Sequence, residues 1–534
     1  KTAAGNTLNV NTSATVGTIG NFSNVTFKEN ATLRLQAAGV KFDLAAVKAD
    51  FTATAQEKTL VESDNALELA GDKTFRTDLS ADGTKETNIE ARNSNKEIVR
   101  YGYTFKDAQT ATTVGADTWG GRSKAGNTTT GNEITLSSST YTNVYGGWTS
   151  GVGSTADSSK QKDSTLNKVT IGGSAAISGT VYGGLTDVAG GKATGNTVTV
   201  TNNLNADIVG GKSAGEASGS TVSVDHAAVN SITGGDGATT KDNTVNIDGT
   251  TVTNKIVGGT QADGTGNTLN VKGVNTARNI GGFQKLHFDT TGVAGTMLTL
   301  SDGMNKTKVD WNTLTVGGSG YNITLLKNAA GIDFGGTYTD GAVKSGLSAD
   351  RQSEINVGVS ADKKAITYSG YRFTGVAQAL VDGTAAYGGI SKAGNATHHN
   401  AITVHGNYDE VYGGYTSGTS DTTAQKKHSH DNTVTITGGT LGKVYGGYTD
   451  STDGTTNDNT VSLGDGTHPL APNTTVAALY GGNKTAAGNT LNVNTPATVG
   501  TIGNFSTVAF RNASSKLTLT QAGASIDLDT IKAD

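Results

Sequence analysis

Over most of this chain apolar residues alternate with polar ones in runs of four or five, and the runs share one form. NEITL from Asn132, NKVTI from Asn167, NTVTV from Asn196, NTVNI from Asn243, NAITV from Asn400, NTVTI from Asn432 and NTVSL from Asn459 each open on Asn and then place two apolar residues two apart. The GNTLNV copies at 5, 266 and 488 bring Asn267 and Asn489 into the series, and STVSV from Ser220 breaks it. A period of two sends Val198 and Val200 to one face and Thr197 and Thr199 to the other, which predicts a short half-buried strand at each copy.

Between these strands stand glycine pairs. They read WGG at Trp119, VYGG at Val144 and Val181, IVGG at Ile208, ITGG at Ile232 and IVGG at Ile256, then YGG at Tyr387, VYGG at Val411 and Val444, and LYGG at Leu479. In the first series the steps between pairs run from 24 to 37 residues. A unit copied at such a period cannot bury its apolar face alone, so its copies are expected to stack. The fold class read from this pattern is all-β, a parallel β-helix or β-solenoid with two or three short strands per turn. The shortest steps are one turn, and the longer ones a turn with a loop extruded.

A longer repeat frames the shorter one. Residues 1–27, KTAAGNTLNVNTSATVGTIGNFSNVTF, return at 484–510 as KTAAGNTLNVNTPATVGTIGNFSTVAF, with a diverged copy at 264–288. LSAD at 79–82 answers LSAD at 347–350, and SKAGN at 123–127 answers SKAGN at 391–395. These matches divide the chain into solenoid turns at 1–27, an irregular charged β block at 28–110, a ladder at 111–288, a second irregular block at 289–378, a ladder at 379–510 and the start of a third block at 511–534. Both ends cut through the same unit, so the natural polypeptide is expected to continue in both directions.

The repeated residues are read first as structure. The Asn opening each strand, at 132, 167, 196, 243, 267, 400, 432, 459 and 489, is expected to take a left-handed backbone at the corner and to pass amide hydrogen bonds from turn to turn. Gly146-Gly147 and its equivalents are expected at a corner that needs positive φ and where a side chain would strike the neighbouring turn. Tyr145, Tyr182, Tyr387, Tyr412, Tyr445 and Tyr480, with Trp119 in the same slot, precede the pair, and Trp148, Tyr415 and Tyr448 follow it. Stacked at strand spacing they form an aromatic ladder that holds successive turns in register or, where exposed, a surface for sugars or proteins.

Composition narrows the function. The 534 residues include 75 Gly, 3 Pro and no Cys, and 34 % are apolar, too few to fill one globular core of this length but enough for a thin one. The absence of Cys removes disulfides, thiolate metal sites and thiol nucleophiles, and a net charge of -5 without a basic stripe excludes nucleic acid as a partner. No motif of a hydrolase, a zinc protease or a phosphate-binding loop is present. Eight histidines, including His398-His399 and His428-x-His430, complete no repeated ligand set, and DGTGN at 263–267 fits no calcium loop, so no metal or cofactor is expected. A polysaccharide-cleaving β-helix is the enzymatic alternative, and the echo of each long unit in the next speaks against a single cleft.

The strings VYGGYTSG, VYGGYTD and GNTVTV resemble the repeats in passenger regions of large Gram-negative type V autotransporter adhesins. That resemblance implies an exported, right-handed parallel β-helix displayed at the outer membrane by an anchor outside this segment. It is expected to serve attachment or aggregation through a host or bacterial surface protein, a glycan or copies of itself. A subunit of a self-assembling extracellular filament is the alternative within the same class.

Overall fold

The computed structural model describes residues 5–49, 55–151, 162–261, 264–318, 320, 322–348, 350–417, 427–468, 470–522, 524 and 526–533. The first four residues of the opening repeat, Asp263 of DGTGN and Ala349 of the second LSAD lie outside them. Among the described residues the chain is all-β, built of short strands with three single 3-10 turns and no α-helix. Most strands lie in parallel sheets. Two compact units are distinguished, one of residues 1–316, 324–339 and 361–365, the other of 317–323, 340–360 and 366–534.

In the first unit the alternating strands Thr197–Val200, Thr221–Asp225, Thr244–Asp248, Thr268–Lys272 and Lys285–Asp289 pair parallel and in register. Val198, Val222, Val245, Leu269 and Leu286 therefore form one buried row, and Val200, Val224, Ile247, Val271 and Phe288 a second. The glycine-pair strands Asp207–Ser213, Ser231–Asp236, Lys255–Gly259 and Asn279–Gly281 form another parallel sheet, aligning Ile208, Ile232, Ile256 and Ile280. A third, shorter strand closes several passes, as Glu216–Ser218 does before Thr221–Asp225. Each wholly buried Val or Ile contributes about 1.5–3 kcal/mol, so a thin core is sufficient when it is continued pass after pass.

The second unit repeats this scheme. Ala401–His405, Thr433–Gly438, Thr460–Leu463, Thr490–Val493 and Thr507–Phe510 pair parallel, as do Ala385–Ser391, Tyr408–Thr416, Thr440–Thr449 and Thr475–Gly482. Their inward residues, among them Ile402, Val434, Val461, Leu491, Val411, Val444 and Leu479, make its core.

The irregular blocks begin as parallel structure and end as antiparallel structure. Leu33–Leu35 stacks parallel on Ala14–Val16 and on Lys58–Ser63. Phe75–Leu79, Lys85–Arg92 and Glu97–Thr104 then form an antiparallel meander. In the later block Thr296–Leu300 joins Asn275–Ala277 in parallel, and Lys344–Leu347, Ser353–Val359 and Ala365–Arg372 form the corresponding meander.

Two backbone expectations are corrected. None of the ladder asparagines has positive φ. The left-handed residue is the one before each: Gly131, Leu166, Gly195, Asp242, Gly266, His399, Asp431, Asp458 and Gly488. The turn is thus made one position early, and the Asn that follows it is buried in the core. Apart from Gly282, at φ 67°, the glycine pairs of these strands are not left-handed either. Their need for Gly is a close approach, described next.

Candidate functional site

The glycine pairs lie against an Asn of the same pass, except Gly210-Gly211, which lies against Ser220. A Cβ on Gly146 would strike the Gly183 carbonyl of the next pass and come within 2.9 Å of Val169, while a Cβ on Gly147 would strike the Asn167 amide. The same holds for Gly183-Gly184 over Asn196 and for Gly413-Gly414 over Asn432. The two sequence signals are therefore one contact: the glycines make the room that the buried amide fills.

The amides run in rows. Asn132 Nδ2 donates to Asn167 Oδ1 at 2.7 Å, and Asn167 Nδ2 to Asn196 Oδ1 at 3.0 Å. Ser220 interrupts the row, which resumes with Asn243 Nδ2 donating to Asn267 Oδ1 at 3.1 Å. In the second unit Asn400, Asn432, Asn459 and Asn489 are joined by bonds of 2.8, 3.0 and 3.3 Å. All nine are buried, and the backbone N–H of Asn167 also donates to the next amide, Asn196, at 3.0 Å.

The aromatic residues flank the same glycines. Trp119, Tyr145 and Tyr182 are register partners, as are Tyr387, Tyr412, Tyr445 and Tyr480. Ring centroids are 5.3 Å apart for Tyr145 and Tyr182, 5.2 Å for Tyr387 and Tyr412, 5.5 Å for Tyr412 and Tyr445, and 5.0 Å for Tyr445 and Tyr480, with planes within 17° of parallel. Tyr415 and Tyr448 make a second column at 5.4 Å. Trp148 stacks on Tyr145 at 4.6 Å, and Arg122 lies over Trp148, Trp119 and Tyr103 at 4.1, 4.5 and 4.9 Å. These faces are turned toward one another, so what the columns offer outward is ring edges and hydroxyls rather than platforms for a sugar.

Carboxylates fix the edges. Trp148 Nε1 donates to Asp187 at 2.8 Å, and the Tyr415 hydroxyl donates to Asp450 at 2.7 Å, the equivalent position one pass on. The Tyr412 hydroxyl donates to Glu410. Burial pushes Tyr145 and Tyr445 up to about 12. Burial, then the adjoining carboxylate, raises Tyr412 and Tyr415 further, so these phenols remain protonated.

The least expected cluster lies where each meander meets the first glycine-pair strand after it. Glu86 is 1 % exposed, and its carboxylate accepts from Ser123 Oγ at 2.7 Å, Lys124 N at 2.8 Å, Asn127 Nδ2 at 2.7 Å and Asn88 Nδ2 at 2.8 Å. Glu354 is fully buried and accepts from Ser391 Oγ at 2.8 Å, Lys392 N at 2.5 Å, Ala393 N at 3.1 Å and Asn395 Nδ2 at 3.0 Å. The two SKAGN strings are the cradles, and the glutamates come from the hairpins opened by the two LSAD strings. Asp82 and Asp350 cap those turns through Ser80 and Ser348. A buried carboxylate is tolerated when donors surround it, so each glutamate latches a meander to a parallel sheet. Sequence reasoning noted both strings but not their partner, whose signal is Glu-x-Asn at Glu86 and Glu354.

The histidines do group in places. His398 stacks on His430 of the next pass at 5.3 Å and contacts His399, and its pKa is lowered by burial, then by those two neighbours. Asp225, His226 and Asp248 each bring one ligating atom within 4.8 Å of the others, but His226 pairs with Asp225, and Lys272 holds Asp248 at 3.3 Å. No helix among the described residues is long and apolar enough to cross a membrane. No family model, curated protein or solved structure matches this chain.

Proposed function

We propose that this chain is a segment of an exported bacterial surface protein, a stalk or adhesin of the autotransporter passenger kind. In this reading the parallel sheets are turns of a right-handed β-helix, and the chain acts by attachment or aggregation. What supports it most is the copying of one polar core contact, glycine pair over buried Asn, through pass after pass. A catalytic centre needs such an arrangement once, whereas a scaffold that gains length by repetition needs each copy alike. The latched meanders are its natural recognition elements, because they carry the charge and the irregular sequence while their anchoring glutamates stay the same. The partner is a surface protein, a glycan or a second copy of the chain.

Labelled purified chain, offered to bacterial and host cells, tests the reading together with beads coated in it. Saturable cell binding, or bead clumping competed by free chain, is expected. Coated beads that stay dispersed and bind no cell surface refute attachment, and continuous filaments of free chain in electron micrographs would assign self-assembly instead.

A further inference from the structure

Six tyrosines of the second unit form one continuous array. Tyr387, Tyr412, Tyr445 and Tyr480 make the inner column, and Tyr415 and Tyr448 the outer one. Ring centroids across the columns are 5.0 Å for Tyr412 and Tyr415, 5.2 Å for Tyr412 and Tyr448, and 5.1 Å for Tyr445 and Tyr448. The outer pair sits on register partners of the parallel strands Tyr408–Thr416 and Thr440–Thr449, with ring planes 8° apart, and both rings are half-buried. Nothing in this unit competes for an oxidant as a softer side chain would. The chain has no Cys, and its 3 Trp and 2 Met, at 119, 148, 311, 297 and 304, all fall in the first unit. Asp450 accepts the Tyr415 hydroxyl at 2.7 Å and is in place to take its proton.

We propose that this array is a site of oxidative tyrosine coupling, in which a one-electron oxidant joins Tyr415 to Tyr448 through their ortho carbons. The oxidant removes one electron from each phenol. The Tyr415 proton passes to Asp450 and the Tyr448 proton to solvent. The two phenoxyl radicals combine into a carbon–carbon bond, and each ortho hydrogen moves to its own oxygen as the rings regain aromaticity. The balance is two electrons to the oxidant and two protons released. Because Tyr415 is held protonated by burial and by Asp450, electron loss has to be accompanied by this proton transfer. The inner column shares the radical while it persists, since every ring lies next to another. The product ties one pass covalently to the next, at a contact otherwise held by backbone hydrogen bonds and ring stacking.

The test uses the whole chain at low concentration, with tris(bipyridyl)ruthenium, persulfate and visible light as the oxidant. Dityrosine fluorescence and mass mapping of the monomer are expected to give a cross-link between the tryptic peptides carrying Tyr415 and Tyr448. Tyr415→Phe and Tyr448→Phe are each expected to lower that cross-link at least tenfold with an unchanged circular-dichroism spectrum. Asp450→Asn, which keeps both rings, is expected to slow it several-fold, and the mapping on unmodified chain stands if a Phe variant fails to fold. A yield unaffected by either Phe substitution, or cross-links found only between chains and rising with concentration, overturns the proposal.

Discussion

Replacing Ser220 by Asn closes the one gap in the first unit's amide row, and its effect can be worked out from the neighbours. The Ser220 hydroxyl is buried without a hydrogen-bond partner, although its backbone N–H already donates to Asn243 Oδ1 at 3.0 Å. The glycine pair above it, Gly210-Gly211, leaves the room found over Asn196. An Asn there would accept from Asn196 and donate to Asn243, as Asn167 accepts from Asn132 at 2.7 Å and donates to Asn196 at 3.0 Å. Two added side-chain hydrogen bonds bring about 0.5–1.5 kcal/mol each, and relief of the stranded hydroxyl brings about 1 kcal/mol more. Against this stands about 1 kcal/mol of side-chain entropy. The net gain is about 1–3 kcal/mol, which moves the melting midpoint of a unit this large by roughly 1–2 °C per kcal/mol. Calorimetry of wild type, Ser220→Asn and Ser220→Ala is the assay, since Ala removes the hydroxyl without adding an amide. If Asn is no more stable than Ala, the amide row is a passenger of the packing and the account given for it fails.

Other outcomes follow from the same geometry. Leu166 is 67 % exposed and sits at φ 55°, where an L side chain costs about 1–2 kcal/mol, so Leu166→Gly is expected to raise the urea midpoint despite the flexibility Gly adds to the unfolded chain. Gly147→Ala is expected to cost several kcal/mol by displacing the Asn167 amide, and loss of amide-exchange protection at both neighbouring passes reports it. Glu354→Gln turns an acceptor into a donor facing Ser391, Lys392, Ala393 and Asn395, bonds to a charged group being worth about 1.5–3 kcal/mol each. Hydrogen exchange is expected to rise in Lys344–Leu347 and Ser353–Val359 while the amide row keeps its protection. Tyr145 and Tyr445 are raised from 10.0 to about 12, so the folded state holds protons that the unfolded chain releases, and stability falls as pH climbs from 10 to 12. Absorbance of tyrosinate together with circular dichroism checks this.

The parallel stack was legible in the chain because a strand records its buried face in its own alternation. Val198 and Val200 are buried where Thr197 and Thr199 are not, and the Asn before them recurs as faithfully as the core does. The left-handed position was placed one residue late for a physical reason. It is filled by Gly, Leu, Asp or His from pass to pass, so it shows no constant letter, while its constant neighbour, Asn, is a residue type that also tolerates that backbone. The reason for the glycine pairs was half visible: collision with the next pass was foreseen, whereas the amide beneath them is set by a strand elsewhere in the same pass. The latches could not be read by local pattern, because Glu86 reaches Ser123 across 37 residues and Glu354 reaches Ser391 across the same span. What the sequence showed was the recurrence of both halves, without the contact that explains it.

The amide rows have a direction. Within a row, each Asn Nδ2 that meets the next Asn gives its hydrogen toward the higher-numbered one, so the carboxamide dipoles of a row point the same way and one end differs chemically from the other. The low-numbered end offers an oxygen, which Ala108 N takes at Asn132 and Val376 N takes at Asn400. The high-numbered end offers a hydrogen, which Asn489 gives to the Asn504 carbonyl, and which Asn267 leaves without an acceptor. Evolution or engineering can therefore splice in or excise whole passes without disturbing either terminus, since head and tail still match. A reversed or half-length insert would set oxygen against oxygen in a dry interior.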